Sequence, residues 1–145
     1  MVGRVVAHYL VVAHQTADSP ELAAALRAVR ARHPDSTFVL VVPATHVEHL
    51  RGWTEGEARA AATQAGNKAA EELKRHGIEL AAVRVGDADP FNAAVDEWND
   101  HPEYDQVIFS TLPEGVSRWL KVDAYDRLVR RMSIPVTHVV AQARH

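Results

Sequence analysis

Val5 to Ala13 reads VVAHYLVVA and stops at the polar group His14-Gln15-Thr16. The run is short, apolar and β-branched, with no polar alternation, which is the pattern of a strand buried on both faces of a parallel sheet. Ser19-Pro20-Glu21 follows, an N-cap, a proline at the first helical position and an acid in the first turn. Leu22, Ala25, Leu26 and Val29 then repeat at helical spacing and predict a helix to about Arg32. Thr37 to Val42 (TFVLVV) predicts a second strand, stopped by Pro43. Thr54-Glu55-Gly56-Glu57 reads as a capping box opening a long helix. Ala58, Ala62, Ala65, Ala69 and Leu73 form its apolar stripe, small enough for close approach to a sheet, and Gly77 stands where a left-handed C-cap belongs.

The same alternation continues to the end of the chain. Ile78 to Val85 predicts a third strand, and Gly86 to Pro90 a turn that delivers Asp89 as N-cap of a helix running to about Trp98. Gln106 to Ser110 is the fourth strand candidate. Gly115 to Met132 is helical in pattern, with a break near Asp123, and Pro135 introduces a fifth strand, Val136 to Val140. Strands alternating with helices imply a single α/β domain over 1–145, its parallel sheet covered on both faces and joined by right-handed crossovers.

Composition agrees with one globular domain: the chain has 145 residues, 47% hydrophobic and 24% charged. The absence of cysteine excludes disulfides, thiol nucleophiles and cysteine-ligated metal. Sixteen Lys and Arg against nineteen Asp and Glu give a net charge of −3, without the basic excess of a nucleic-acid-binding domain. Val5 to Ala13 is too short to span a bilayer, so the expected setting is the cytoplasm, with no membrane partner.

In an open α/β sheet, ligands bind beyond the carboxyl ends of the strands, where the strand order reverses. That directs attention to 14–19, 43–53, 86–89, 110–115 and the end of the sequence after the fifth strand. Phe109-Ser110-Thr111-Leu112-Pro113-Glu114-Gly115-Val116-Ser117-Arg118-Trp119-Leu120, followed by Ile134-Pro135-Val136-Thr137-His138-Val139-Val140, resembles the C-terminal part of the universal stress protein family. The family's counterpart has a glycine-rich loop after the fourth strand, a helix beginning Gly-apolar-Ser-Arg and a Cys-Pro-Val-type final strand. A weaker likeness extends over nearly the whole chain. The resemblance implies an adenine-nucleotide alpha hydrolase-like, Rossmann-like fold with strand order 3-2-1-4-5, homodimers, here expected through the fifth strand, and a stress-response regulatory module that binds a small ligand or a nucleotide, such as ATP or another adenine nucleotide, without turnover of its own.

Carried onto this sequence, the ligand site falls on His14, Gln15, Thr16, Ser110, Thr111, Gly115, Val116, Ser117, Arg118 and Asp123. His14 stands where nucleotide-binding members carry an aspartate. Ser110 and Pro113 replace glycines of the Gly-x-x-Gly-x9-Gly-Ser/Thr pattern, the loop is one residue shorter, and Val122-Asp123 takes the place of Gly-Ser. Amides at a helix start near Gly115, Val116 and Ser117, with neighbouring hydroxyls and Arg118, suit an anion. Pro113 offers no amide, and Glu114 and Asp123 put negative charge beside any phosphate.

Other combinations carry less. His46 and His49 stand three apart and could ligate zinc together with His14, but no His-Glu-x-x-His helix accompanies them. A hydrolase pairing a hydroxyl of Ser110, Thr111 or Ser117 with His14 is a second reading, and a dimeric interaction protein with an empty cleft a third. No Gly-x-Ser-x-Gly elbow supports the hydrolase. His8 and His138 fall inside strands as hydrogen-bonded core or interface groups. Arg27, Arg30 and Arg32, with Arg127, Arg130 and Arg131, read as solvated helix faces. Trp53, Trp98 and Trp119 read as packing residues, with Trp53 also placed to cover a ligand.

Overall fold

The computed structural model describes residues 7–45, 55–112 and 124–141. Five strands, β1 (His8–Val12), β2 (Thr37–Pro43), β3 (Ala82–Gly86), β4 (Gln106–Thr111) and β5 (Val136–Val140), alternate with α1 (Pro20–Arg32), α2 (Glu55–Arg75), α3 (Pro90–Asp100) and α4 (Ala124–Arg131). The strands form one sheet in the order β3-β2-β1-β4-β5, and all four pairings are parallel. This is the expected topology, with the first strand at its centre.

The centre is dictated by side chains. Leu10, Val11 and Val12 are each fully buried, as a strand without polar alternation requires. Tyr9, Val11 and Ala13 meet Leu22, Leu26 and Val29 of α1 and Ala62, Ala69 and Leu73 of α2 on one face. Leu10 and Val12 meet Ala93 and Ala94 of α3 and Leu128 of α4 on the other. Each buried Leu or Val contributes roughly 1.5–3 kcal/mol relative to an exposed one.

The helix ends follow their sequence signals. Ser19 Oγ accepts the Leu22 amide at 3.1 Å, and Asp89 Oδ1 accepts that of Phe91 at 2.9 Å. At the end of α2, Gly77 takes φ +82°, and the amides of Gly77 and Ile78 donate to the carbonyls of Lys74 (3.0 Å) and Leu73 (2.9 Å). That pair of bonds is a Schellman cap, and Ile78 joins Leu73 in the core beside it.

This cap explains why β3 starts at Ala82 and not at Ile78. The Ile78 amide is spent on the helix, so its burial marks a cap contact and not a strand. Pro43 belongs to β2 as its last residue, paired with Gly86, where a missing donor breaks nothing within the ladder. β4 and α3 run on to Thr111 and Asp100. The capping box at Thr54, the helical stretch 115–123, Val5 and Val6 lie outside the described residues, wholly or in part.

Two strand histidines are hydrogen-bonded as expected. His8 Nδ1 meets Thr37 Oγ1 at 2.7 Å, and His138 Nε2 meets Thr111 Oγ1 at 2.7 Å. The arginines do more than face water. Arg30 lies over Phe38 at 5.7 Å, Arg127 over Phe91 at 4.1 Å and Arg131 over Trp98 at 6.0 Å, because a guanidinium on a long apolar stem gains from covering a ring. Trp98 packs against the second core cluster, and Trp53 and Trp119 lie outside the described residues.

Two glycines are required for different reasons, and substitution separates them. A Cβ at Gly77 would meet nothing within 4 Å, whereas one at Gly86 would fall 2.9 Å from Ala93 Cβ and 3.0 Å from Val41 Cγ1. Gly77→Ala is expected to cost about 1–2 kcal/mol through its backbone alone, and Gly77→Asn distinctly less. Gly86→Ala should cost about 1–3 kcal/mol by overpacking, and Gly86→Asn more still. Urea unfolding midpoints of the four variants check both.

Candidate functional site

Helices α1 and α2 lie on one face of the sheet and α3 and α4 on the other. The chain therefore leaves β1 and β4 toward opposite faces, and a crevice opens between their carboxyl ends. The residues there are buried and polar: His14 is 8% exposed, Thr16 3%, Ser110 0% and Thr111 2%. Gln15 is exposed.

Short turns set these positions. The Ala17 amide donates to the His14 carbonyl at 3.1 Å and the Ser19 amide to that of Thr16 at 3.0 Å, which folds 14–19 across the end of β4. Thr16 Oγ1 then meets Ser110 Oγ at 2.6 Å, joining residues far apart in sequence. A hydroxyl has one donor and two acceptor sites, so this contact leaves the pair with capacity for a ligand group.

Thr111 turns the other way. Successive strand residues face opposite sides, so Ser110 points toward the β1 loop while Thr111 points toward α4, where His138 holds it. The His138 ring stacks on Tyr125 of α4, with centroids 5.0 Å apart and planes 24° from parallel. Tyr125 donates its hydroxyl to the Val136 carbonyl at 3.3 Å. Burial pushes the His138 imidazole below its ordinary pKa, so the ring is neutral at pH 7.

His14 faces α2. With Gln15, Asp18, Ala65 and Lys68 it lines a cavity of about 250 Å³. Desolvation by burial also lowers its pKa, so a neutral ring stands where the family resemblance would place a carboxylate. Lys68 Nζ lies 3.2 Å from Asp18 at the rim.

The structure thus brings Thr16 and Ser110 into contact and separates Thr111 from them by the sheet. At the carboxyl ends of the strands the hydroxyl–imidazole contact described is Thr111 with His138, while Ser110 bonds another alcohol, which is no base. Gly115, Val116, Ser117, Arg118 and Asp123, together with Pro113, Glu114, His46 and His49, lie outside the described residues. Among the described residues no group of three or more His, Asp or Glu has metal-binding geometry, and no helix is long and apolar enough to cross a membrane.

Sequence reasoning missed a second polar cavity. About 400 Å³ in volume, it lies beside β3 and is lined by Arg59, Arg84, Asp87, Asp96, Glu97 and Asp100, among others. Glu97 is 8% exposed and its Oε2 accepts from Arg84 Nε at 3.0 Å and from the Tyr104 hydroxyl at 2.7 Å. Burial and that carboxylate push the Tyr104 phenol far above its ordinary pKa. The available signal was an acid four residues after Ala93 on the apolar face of α3.

This architecture defines a class: an open five-stranded α/β sheet with its polar crevice at the β1/β4 switch point. It is the fold of the universal stress proteins. One such protein from Archaeoglobus fulgidus superposes with TM-score 0.61 at 13% identity, covering 92% of this chain and 93% of that one. The A. fulgidus universal stress protein in complex with dAMP gives TM-score 0.60 at 14% identity, over 94% and 99% of the two chains. A universal stress protein family protein from Arabidopsis thaliana with AMP bound gives 0.53 at 12%, over 94% and 93%. No family model and no curated protein matches the sequence.

Proposed function

We propose that this chain is a diverged universal stress protein, a cytoplasmic regulatory module that binds an adenine nucleotide at the β1/β4 switch point without turning it over. The observation that carries this is the buried Thr16–Ser110 contact, a pair of alcohols kept from water at the place where this fold class takes its ligands. Solved proteins of the same fold hold dAMP and AMP. Gln15, Thr16 and Ser110 supply neutral polar groups and His14 a neutral imidazole, Thr111 stands across the sheet from them, and Gly115, Val116, Ser117 and Arg118 are the segment from which the sequence leads us to expect anion binding.

Two acids set the preference among nucleotides. The family resemblance aligns Glu114 and Asp123 with the phosphate end of the nucleotide pattern, and on that reading each added phosphate charge is penalised. At about 5 Å and an effective dielectric near 20, one pair of like charges repels by about 3 kcal/mol before salt screening. AMP is therefore favoured over ATP. The second part of the proposal is a homodimer through β5. Among the described residues this strand ends the sheet with no strand beyond it, and Val140 is 40% exposed.

Calorimetric titration of adenosine, AMP and ATP tests the ligand. AMP should bind more tightly than ATP, and Val122→Gly with Asp123→Ser should tighten ATP by roughly 5- to 100-fold while changing adenosine little. A folded protein that binds none of the three contradicts the reading. Sedimentation equilibrium tests the dimer: Val140→Lys should weaken association, and a monomer at every concentration of the unsubstituted protein contradicts it.

A further inference from the structure

The cavity beside β3 is lined by charges of both signs that the fold leaves largely unused. Arg59 of α2 and Arg84 of β3 line it, with Asp87 from the turn after β3 and Asp96, Glu97 and Asp100 of α3. Asp96, Glu97 and Asp100 follow the buried Ala93 by three, four and seven positions, so one stripe of α3 runs from an apolar floor to an acidic wall. Glu97 is satisfied by Arg84 Nε and the Tyr104 hydroxyl. That bond fixes Arg84, whose Nη1 and Nη2 make no hydrogen bond or ion pair among the described residues. The side chains of Arg59, Asp96 and Asp100 have none among the described residues either. The acids also oppose their own helix: the last turn of α3 bears the negative pole of the helix dipole and contains no basic residue, so carboxylates there are unfavourable. Arg84 offsets Glu97, and among the described residues nothing offsets Asp96 or Asp100.

We propose that this cavity is a second binding site, apart from the switch point, for a free basic amino acid of the lysine class. The ligand carboxylate meets the guanidiniums of Arg59 and Arg84, the α-ammonium meets Asp87, and the terminal ammonium meets Asp96 and Asp100. The methylene chain lies on Val41, Val85 and Ala93, which form the apolar part of the lining. Asp87 gives one oxygen to the Asp89 amide at 2.8 Å and keeps the other for the ligand. A volume of about 400 Å³ is that of a small-molecule site. The stretch of α3 from Ala93 to Asp100 is about 10 Å long, enough for a six-carbon amino acid lying along it. Four carboxylates against two guanidiniums leave the described lining at −2, which favours a ligand with two cations and one anion over a neutral amino acid. A metal ion does not match, since among the described residues no three of these carboxylates meet as ligands. The same carboxylates repel a phosphate, so this site is independent of the nucleotide reading above.

Amide NMR titration of the full chain with L-lysine at constant ionic strength tests the site. Saturable shifts at Arg84, Asp87, Asp96 and Asp100 are expected, with His14, Gln15 and Thr16 unmoved. Two further probes separate the ends of the ligand. Cadaverine is lysine without its carboxylate and norleucine is lysine without its terminal ammonium, and each should bind about tenfold more weakly than lysine. The variants fall at exposed positions, where the fold tolerates them. Arg59→Gln should weaken lysine several-fold and leave cadaverine unchanged, whereas Asp100→Asn should weaken both. No saturable shift at millimolar L-lysine, or shifts confined to the switch point, overturns the site. Cadaverine or norleucine binding as tightly as lysine overturns the class of ligand. Equal losses of lysine and cadaverine in Arg59→Gln overturn the carboxylate contact.

Discussion

Burial of β1 on both faces is the constraint from which the rest follows. A strand with no polar face cannot sit at an edge, because one side or one flank would meet water; it must be paired on both flanks and covered above and below. Here β2 and β4 supply the flanks, α1 with α2 one cover and α3 with α4 the other. Right-handed crossovers then send the chain outward from β1 in one direction along the sheet and later in the other. The crevice between the ends of β1 and β4 is the unavoidable gap in that winding. Its position is thus a consequence of the apolar first strand, before any ligand chemistry enters.

What fills the crevice is set by hydrogen bonding. Adjacent hydroxyls at 110 and 111 are divided between the two faces of the sheet, one bonded to Thr16 and the other to His138. Each is buried, so each must be paired, and each partner comes from a different element. The result is a switch point lined by alcohols and neutral imidazoles, with the charged pair Lys68–Asp18 kept to a rim. Such a lining recognises through hydrogen bonds, and it offers weak electrostatic pull to a polyphosphate.

Much of this was legible in the sequence. The N-caps at Ser19 and Asp89, the left-handed Gly77 and the span of β5 follow from local rules that tertiary packing had no reason to override. The start of β3 was not legible, since Ile78 is apolar for the sake of a helix cap and a hydrophobic run does not say which element it serves. That Ser110 and Thr111 face opposite ways follows from strand periodicity, but which partner each finds does not. Thr16 is brought to Ser110 by a turn, and His138 to Thr111 by strand register, and both are long-range outcomes of assembly. Glu97 shows the same limit: a carboxylate on an apolar helix face was visible, while Arg84 and Tyr104, which make it tolerable, come from β3 and the segment after α3.

The central claim is that the nucleotide site of this chain is the β1/β4 switch point and not the cavity beside β3. An amide and imidazole NMR titration with AMP tests it most directly, because it reads location and affinity together. Saturable shifts centred on His14, Gln15, Thr16, Ser110 and Thr111 are the expected result. Shifts confined to Arg84, Asp87, Glu97 and Asp100, or no shifts at millimolar AMP, would contradict it.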